Sequence, residues 1–238
     1  MAVKKFTETS VKVSSSSKTA LEQKLNKRLE GGQFRLLNEK MYDNKDLTVE
    51  QVKKYHELYK NQIKKWPVDP FEMAVKEIEE LVDKENKIKV ADVGCGDISK
   101  YTDRDLLKKC DFIFYDKYPL SEKVIEANLN DLPAEDASFD VVVSCLAFMM
   151  SDITAEIKQV NRILKTGGIF IFTEVTSRLK SIHSFVSKLE KFGFKTENVN
   201  SSNKYFVVIR MKKIENITET KKKLFLQKCK YKKDKQNK

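Results

Sequence analysis

The chain is poor in the residues that build metal sites and secreted scaffolds. Its 238 residues include two histidines and four cysteines, Cys95, Cys110, Cys145 and Cys229, with no Cys-x-x-Cys pair among them. Zinc sites and disulfide frameworks draw on closely spaced thiols and imidazoles, so neither a metal centre nor a secreted disulfide fold is expected. Long apolar runs are also missing. The first residues carry Lys4 and Lys5 without the apolar stretch of a signal peptide, and no run approaches 18 uncharged apolar residues. No membrane span and no membrane partner are expected.

What is present is ordinary globular composition, 40% hydrophobic with 10% aromatic, on a length that suits one core domain with extensions. The formal charge of +11 is unevenly spread: residues 1–66 carry +7, residues 67–211 carry −4 and residues 212–238 carry +8. A mildly acidic core between two basic flanks fits a catalytic domain with its own grip on a polyanion. For the tail, lysines that serve solubility or import are the alternative. If Lys221 to Lys223 and the lysines of 228–235 grip that polyanion, deleting 214–238 should weaken its binding while ligand binding at the core survives.

The most informative stretch is Lys89-Val90-Ala91-Asp92-Val93-Gly94-Cys95-Gly96-Asp97. A short apolar strand runs straight into two glycines, where the backbone can turn tightly and approach a ligand with no Cβ in the way. A dinucleotide fingerprint would place a third glycine near Ser99, and there is none. The acid before the first glycine instead suggests Asp-x-Gly-x-Gly, the turn that binds S-adenosylmethionine.

Around this turn the chain alternates. Residues 1–20, with four consecutive serines from Ser14, lack periodicity and read as a disordered lead; 1–27 is expected to be disordered or partly helical. A helical pattern carries Leu21, Leu25 and Leu29, is expected to break at Gly31-Gly32, and resumes with Phe34, Leu36 and Leu37. Thr48-x-x-Gln51 is a capping box, opening a helix with Val52, Tyr55, Tyr59, Ile63 and Trp66 on one stripe, ended by Pro67. Pro70 starts another. The domains expected are a helical segment at 28–66, a core at 67–213 and a basic tail at 214–238. Strands are expected near 88–93, 111–116, 123–127, 139–145 and 168–174, and helices near 99–109, 152–164 and 178–192. Phe194–199 and 205–211, around Asn200-Ser201-Ser202-Asn203, read as a closing hairpin. An α/β array finished this way fits the class I methyltransferase fold, a Rossmann-like seven-stranded sheet whose last strand is antiparallel, preceded here by helices.

Ligands of such sheets sit at the carboxyl ends of the strands. The residues there are Asp92 to Asp97, Asp116, Asn128-Leu129, Cys145-Leu146 and Glu174. Asp116, about twenty residues past the glycine turn, can accept from ribose hydroxyls. Asn128 can read an adenine edge, and Leu129 can pack on its face. Each alone reads equally well as a cap or loop residue; the four strand ends together favour a site.

Several segments resemble the ribosomal RNA-processing protein family that includes nucleomethylin, nucleolar methyltransferases acting on large-subunit rRNA. These are Arg28-Leu29-Glu30-Gly31-Gly32-Gln33-Phe34-Arg35-Leu36-Leu37, Tyr55-His56, Gln62-Ile63-Lys64-Lys65-Trp66-Pro67, Asp92 to Asp97, Asn161-Arg162-Ile163-Leu164 and Cys229-Lys230-Tyr231-Lys232. The Gln-x-Lys-Lys-Trp-Pro and Arg-Leu-Glu-Gly segments are specific; the glycine turn is generic to class I enzymes. The resemblance implies S-adenosylmethionine contacts from His56, Gly94, Gly96, Asp116, Asn128, Leu129 and Cys145. Two departures stand out: Asn128 occupies a position where an aspartate is usual, and Leu129 one where methionine is. It also implies methylation of adenine N1 in large-subunit rRNA or pre-rRNA, nuclear and nucleolar location, and a monomer. Phe148 and Met149 are candidates to clamp the target base, and Glu174 and Arg178 to orient base and phosphate; core packing and a helix-start ion pair are their alternatives. The fourth strand lacks the Asn-Pro-Pro-Tyr motif of exocyclic-amine methyltransferases, and no catalytic side chain is evident. A cofactor-binding scaffold in rRNA processing or chromatin silencing, a small-molecule methyltransferase and a protein methyltransferase remain open from the residues themselves.

Overall fold

The computed structural model describes residues 20–43, 45–82, 87–102, 104–217 and 221–229; the expected disordered lead, up to residue 19, and residues 230–238 lie outside them. Helix α1 (Ala20–Tyr42) runs without interruption through Gly31-Gly32, contrary to the expected break. Glycine inside a helix costs about 1 kcal/mol, and here packing outweighs it: Phe34 and Leu37 are buried against Val52 and Leu58. Leu25, Leu29 and Leu36 face solvent. Helix α2 (Val49–Ile63) starts at the expected capping box, with the Thr48 hydroxyl accepting the Gln51 N–H and the Gln51 side chain accepting the Thr48 N–H. It stops before Trp66, whose ring packs on Tyr59 and Phe206 at 5.9 and 4.9 Å. Helix α3 (Pro70–Glu79) is capped by Asp69, which accepts the Phe71 N–H at 2.8 Å.

The seven strands are β1 (Ile88–Val93), β2 (Cys110–Asp116), β3 (Val124–Glu126), β4 (Phe139–Cys145), β5 (Leu164–Val175), β6 (Phe194–Asn200) and β7 (Phe206–Lys213). They form one sheet in the order β3-β2-β1-β4-β5-β7-β6, with β7 antiparallel to both neighbours. The expected strands and closing hairpin are therefore present. Two apolar clusters cover the two faces of the sheet, one built around Phe148, Phe170 and Phe172, the other around Phe71, Ile78 and Val90.

Between β1 and β2 the expected three-turn helix is absent. A single 3-10 turn (Ile98–Tyr101) and a one-turn helix α4 (Leu106–Lys109) take its place. The apolar residues there, Tyr101, Leu106 and Leu107, do not recur at three or four residues, and Tyr101 turns inward so that its hydroxyl donates to Asp92 at 2.8 Å. Helices α5 (Thr154–Ile163) and α6 (Ile182–Glu190) complete the array.

Within the stretch expected to be a basic tail, 214–238, the described residues 221–229 pack on the core. Leu224 and Leu226 are buried. The Ile153 N–H donates to the Leu224 carbonyl at 3.0 Å, and the Leu226 N–H donates to the Ser151 carbonyl at 2.8 Å. Residues 221–229 thus form an outer layer against the loop that follows β4.

Candidate active site

A cavity of about 670 Å³ opens at the carboxyl ends of β1, β2 and β4, under α2. Its floor is the glycine turn. Gly94 (φ +74°) donates its N–H to the Tyr115 carbonyl at 2.8 Å, and a Cβ there would stand 2.3 Å from that of Ala147. Gly96 (φ +60°) donates to Asp116 Oδ2 at 2.8 Å, and its Cβ would meet the His56 ring at 2.7 Å. Both positions need the left-handed backbone that glycine adopts without penalty.

Asp116 accepts from Gly96 on Oδ2 and from the Tyr118 N–H on Oδ1, both at 2.8 Å. Each oxygen keeps a further lone pair, and the carboxylate lines the cavity. Burial pushes its pKa up, and the two backbone donors oppose that shift. Asp92, the other acid of the motif, is buried beneath the turn and bonded to Tyr101, so its part is to hold the turn. Asp97 binds outward: it pairs with Lys60 of α2 at 2.5 Å and caps the Ser99 N–H. Burial alone would raise its pKa; the Lys60 and Ser99 bonds outweigh that and hold it at about 2.

His56 lies over Gly96, its pKa pushed down to about 4 by burial, so the ring is neutral near pH 7. Asn128, Leu129, Cys145 and Met149 also line the cavity. The Cys145 thiol is pushed up to about 12 by burial, which leaves it a packing and contact group rather than a nucleophile. The next residue, Leu146, has φ +54°. Its N–H is anchored to the Thr173 carbonyl at 3.0 Å, fixing a strained corner where the strand meets the cavity.

Three expected substrate contacts lie elsewhere. Phe148 is buried in the core, its ring 6.0 Å from that of Phe172 and nearly parallel to it. Glu174 and Arg178 are each about 1% exposed and pair with one another at 2.7 Å. Arg178 further donates to the carbonyls of Met150 and Gln227, both at 2.9 Å, and stacks on the Tyr42 ring. Their chemistry is consumed in joining α1, the β4 loop and residues 221–229. The side chains that sequence reasoning passed over are Lys60, Lys100, Tyr118, Met150 and Glu156, all on the cavity wall. Lys60 had a signal, four residues past His56 on one helix face; Glu156 reads only as a polar position of an amphipathic helix. Among the described residues, no three His, Cys, Asp or Glu side chains cluster as a metal site would require.

The sheet order, the antiparallel β7 and the glycine turn opening toward Asp116 define a class I methyltransferase fold. A TehB-like S-adenosylmethionine-dependent methyltransferase from Corynebacterium glutamicum shares it, with a TM-score of 0.53 at 18% identity over 70% of this chain and 100% of that one. Residues 20–234 match a family described as hypothetical methyltransferase, and the chain belongs to that family, that of ribosomal RNA-processing protein 8. The Caenorhabditis briggsae ribosomal RNA-processing protein 8 is 33% identical over 225 residues, covering 87% of this chain and 64% of the relative. A Schizosaccharomyces pombe relative named 25S rRNA (adenine(645)-N(1))-methyltransferase is 29% identical over 211 residues, covering 82% of this chain and 66% of the relative. The chain thus spans a little under two thirds of the length of these relatives.

Proposed function

We propose that this chain is an S-adenosylmethionine-dependent methyltransferase that modifies N1 of an unpaired adenine in large-subunit rRNA, in the nucleolus, during ribosome biogenesis. The observation that carries the reading is a single cavity holding a nucleoside-sized set of groups: an open glycine turn, a carboxylate with two free lone pairs, and an amide beside a leucine. These residues fit the cofactor. Asp116 would accept from the ribose hydroxyls, Asn128 would face the adenine edge and Leu129 its face. When bound, the cofactor supplies an electrophilic methyl group.

Adenine N1 carries a lone pair when the base is unpaired, so transfer there needs no general base. The work left to the chain is alignment and exclusion of water. A His56 whose pKa burial pushes down to about 4 and a protonated Cys145 suit that chemistry. The target edge is the pairing edge, so the base must be single-stranded or flipped into the site. Met149 and Met150 form an apolar lip for it. Lys53, Lys64 and Lys65, all exposed, give α2 and the turn after it a positive rim for phosphates. The activity for which the S. pombe relative is named points the same way.

The test is transfer of a tritiated methyl group from the cofactor into separated RNA, protein and small-molecule fractions. Label in RNA is expected. Label elsewhere would replace the substrate assignment, and cofactor binding with no transfer would make the chain a scaffold.

A further inference from the structure

Glu156 stands on the cavity wall, 6% exposed, and its Oε2 has no hydrogen-bond partner. Among the described residues it is the one buried side chain facing this cavity that carries an orphaned polar atom. A buried carboxylate oxygen without a donor costs stability unless something binds there. The neighbouring acid is not equivalent: Asp152 is occupied by the Thr154 N–H at 3.1 Å and by Lys223 at 3.6 Å.

The position of Glu156 follows from the rest of α5. One turn later, Gln159 accepts the Leu132 N–H at 3.4 Å, and Arg162 donates to the carbonyls of Leu132 and Ala134 at 2.8 and 2.6 Å. Helix α5 therefore lies along residues 132–136. Side chains three apart share a face, and Glu156, one turn before Gln159, lines the same cavity as Asn128, Leu129 and Asn130, the part of the wall read as the adenine subsite. Asn128 itself is fixed in a tight turn, with its carbonyl accepting the Asp131 N–H at 2.9 Å.

An adenine ring carries an exocyclic amine with two N–H donors, and the Asn128 side chain offers one acceptor oxygen. We propose that Glu156 is the second acceptor, a specificity-determining residue that reads the exocyclic amine of the cofactor's adenine. This rests on the cofactor reading above. Burial raises the Glu156 pKa, a bond from its own backbone N–H opposes that, and Asp152 adds to the rise; an amine donor at Oε2 would relieve the cost of the charged form.

Calorimetry of the wild-type chain, E156Q and E156A with S-adenosylhomocysteine and with its inosine counterpart, in which an oxo group replaces the amine, tests it. Wild type should prefer the adenosine form by about tenfold or more. In E156Q, which keeps the shape and can donate to the oxo group, that preference should shrink toward one, and E156A should follow it. If both ligands lose affinity equally in the variants, or lose none, Glu156 does not read the amine and the proposal falls while the cofactor reading stands. If wild type binds neither ligand, the cofactor reading itself fails and takes the proposal with it.

Discussion

Strands β1 and β2 present their site groups through the backbone, whereas α2 reaches the same region through side chains and residues 221–229 brace it from behind, through buried leucines and backbone bonds. Asp116 is held by two peptide N–H groups, and Gly94 by the Tyr115 carbonyl. The helical roof is held by Lys60 on Asp97 and by Lys117 on Asp46, at 2.5 and 2.6 Å, and by the Tyr118 hydroxyl accepting the Leu47 N–H at 3.2 Å. The far lip is held by the buried Glu174–Arg178 pair and the Gln227 N–H on the Arg178 carbonyl at 2.7 Å. The floor is thus rigid by construction. The walls depend on tertiary contacts drawn from both ends of the chain.

The largest effect should come from the C-terminal layer. Leu224→Ala and Leu226→Ala each remove a buried leucine, at a cost of about 2–5 kcal/mol, and removing residues 214–238 should abolish the cooperative unfolding transition. Denaturant melts check this. A truncated chain that keeps its midpoint and its cofactor affinity would restore the detached-tail reading and break the comparison. Next come the floor and the roof. Gly94→Leu must displace Ala147, and Asp116→Ala removes both free acceptors, so each should weaken cofactor binding by about tenfold or more. Lys60→Met removes a half-exposed pair of a kind worth about 0–1 kcal/mol and should weaken it only a few-fold. Equal losses in calorimetry would erase the distinction between backbone-built floor and side-chain-built roof.

Much of this was readable from residue order. Short continuous apolar runs mark the central strands, and Thr48-x-x-Gln51 marks the start of α2, because those signals are local. The misreadings were decided by tertiary partners, some close in sequence and some far. Gly31-Gly32 stays helical because Phe34 and Leu37 pack on α2. Tyr101 leaves its helix for Asp92. Arg178 and Glu174 meet each other rather than a substrate. Leu224 and Leu226, two apolar residues among lysines, give no periodic signal that they finish a core. Glu156 became visible only when the fold set α5 on the wall of the cavity.

The most direct measurement is primer extension on large-subunit rRNA incubated with the purified chain and S-adenosylmethionine. Methylation of N1 fixes a positive charge on the adenine and removes its pairing edge. Reverse transcriptase should therefore stall one nucleotide before the modified base. Mild alkali, which moves the methyl to the exocyclic amine, should relieve the stall, and Asp116→Ala should never produce it. No stall, or a cofactor-dependent stall that survives the alkaline step, would contradict methylation at adenine N1.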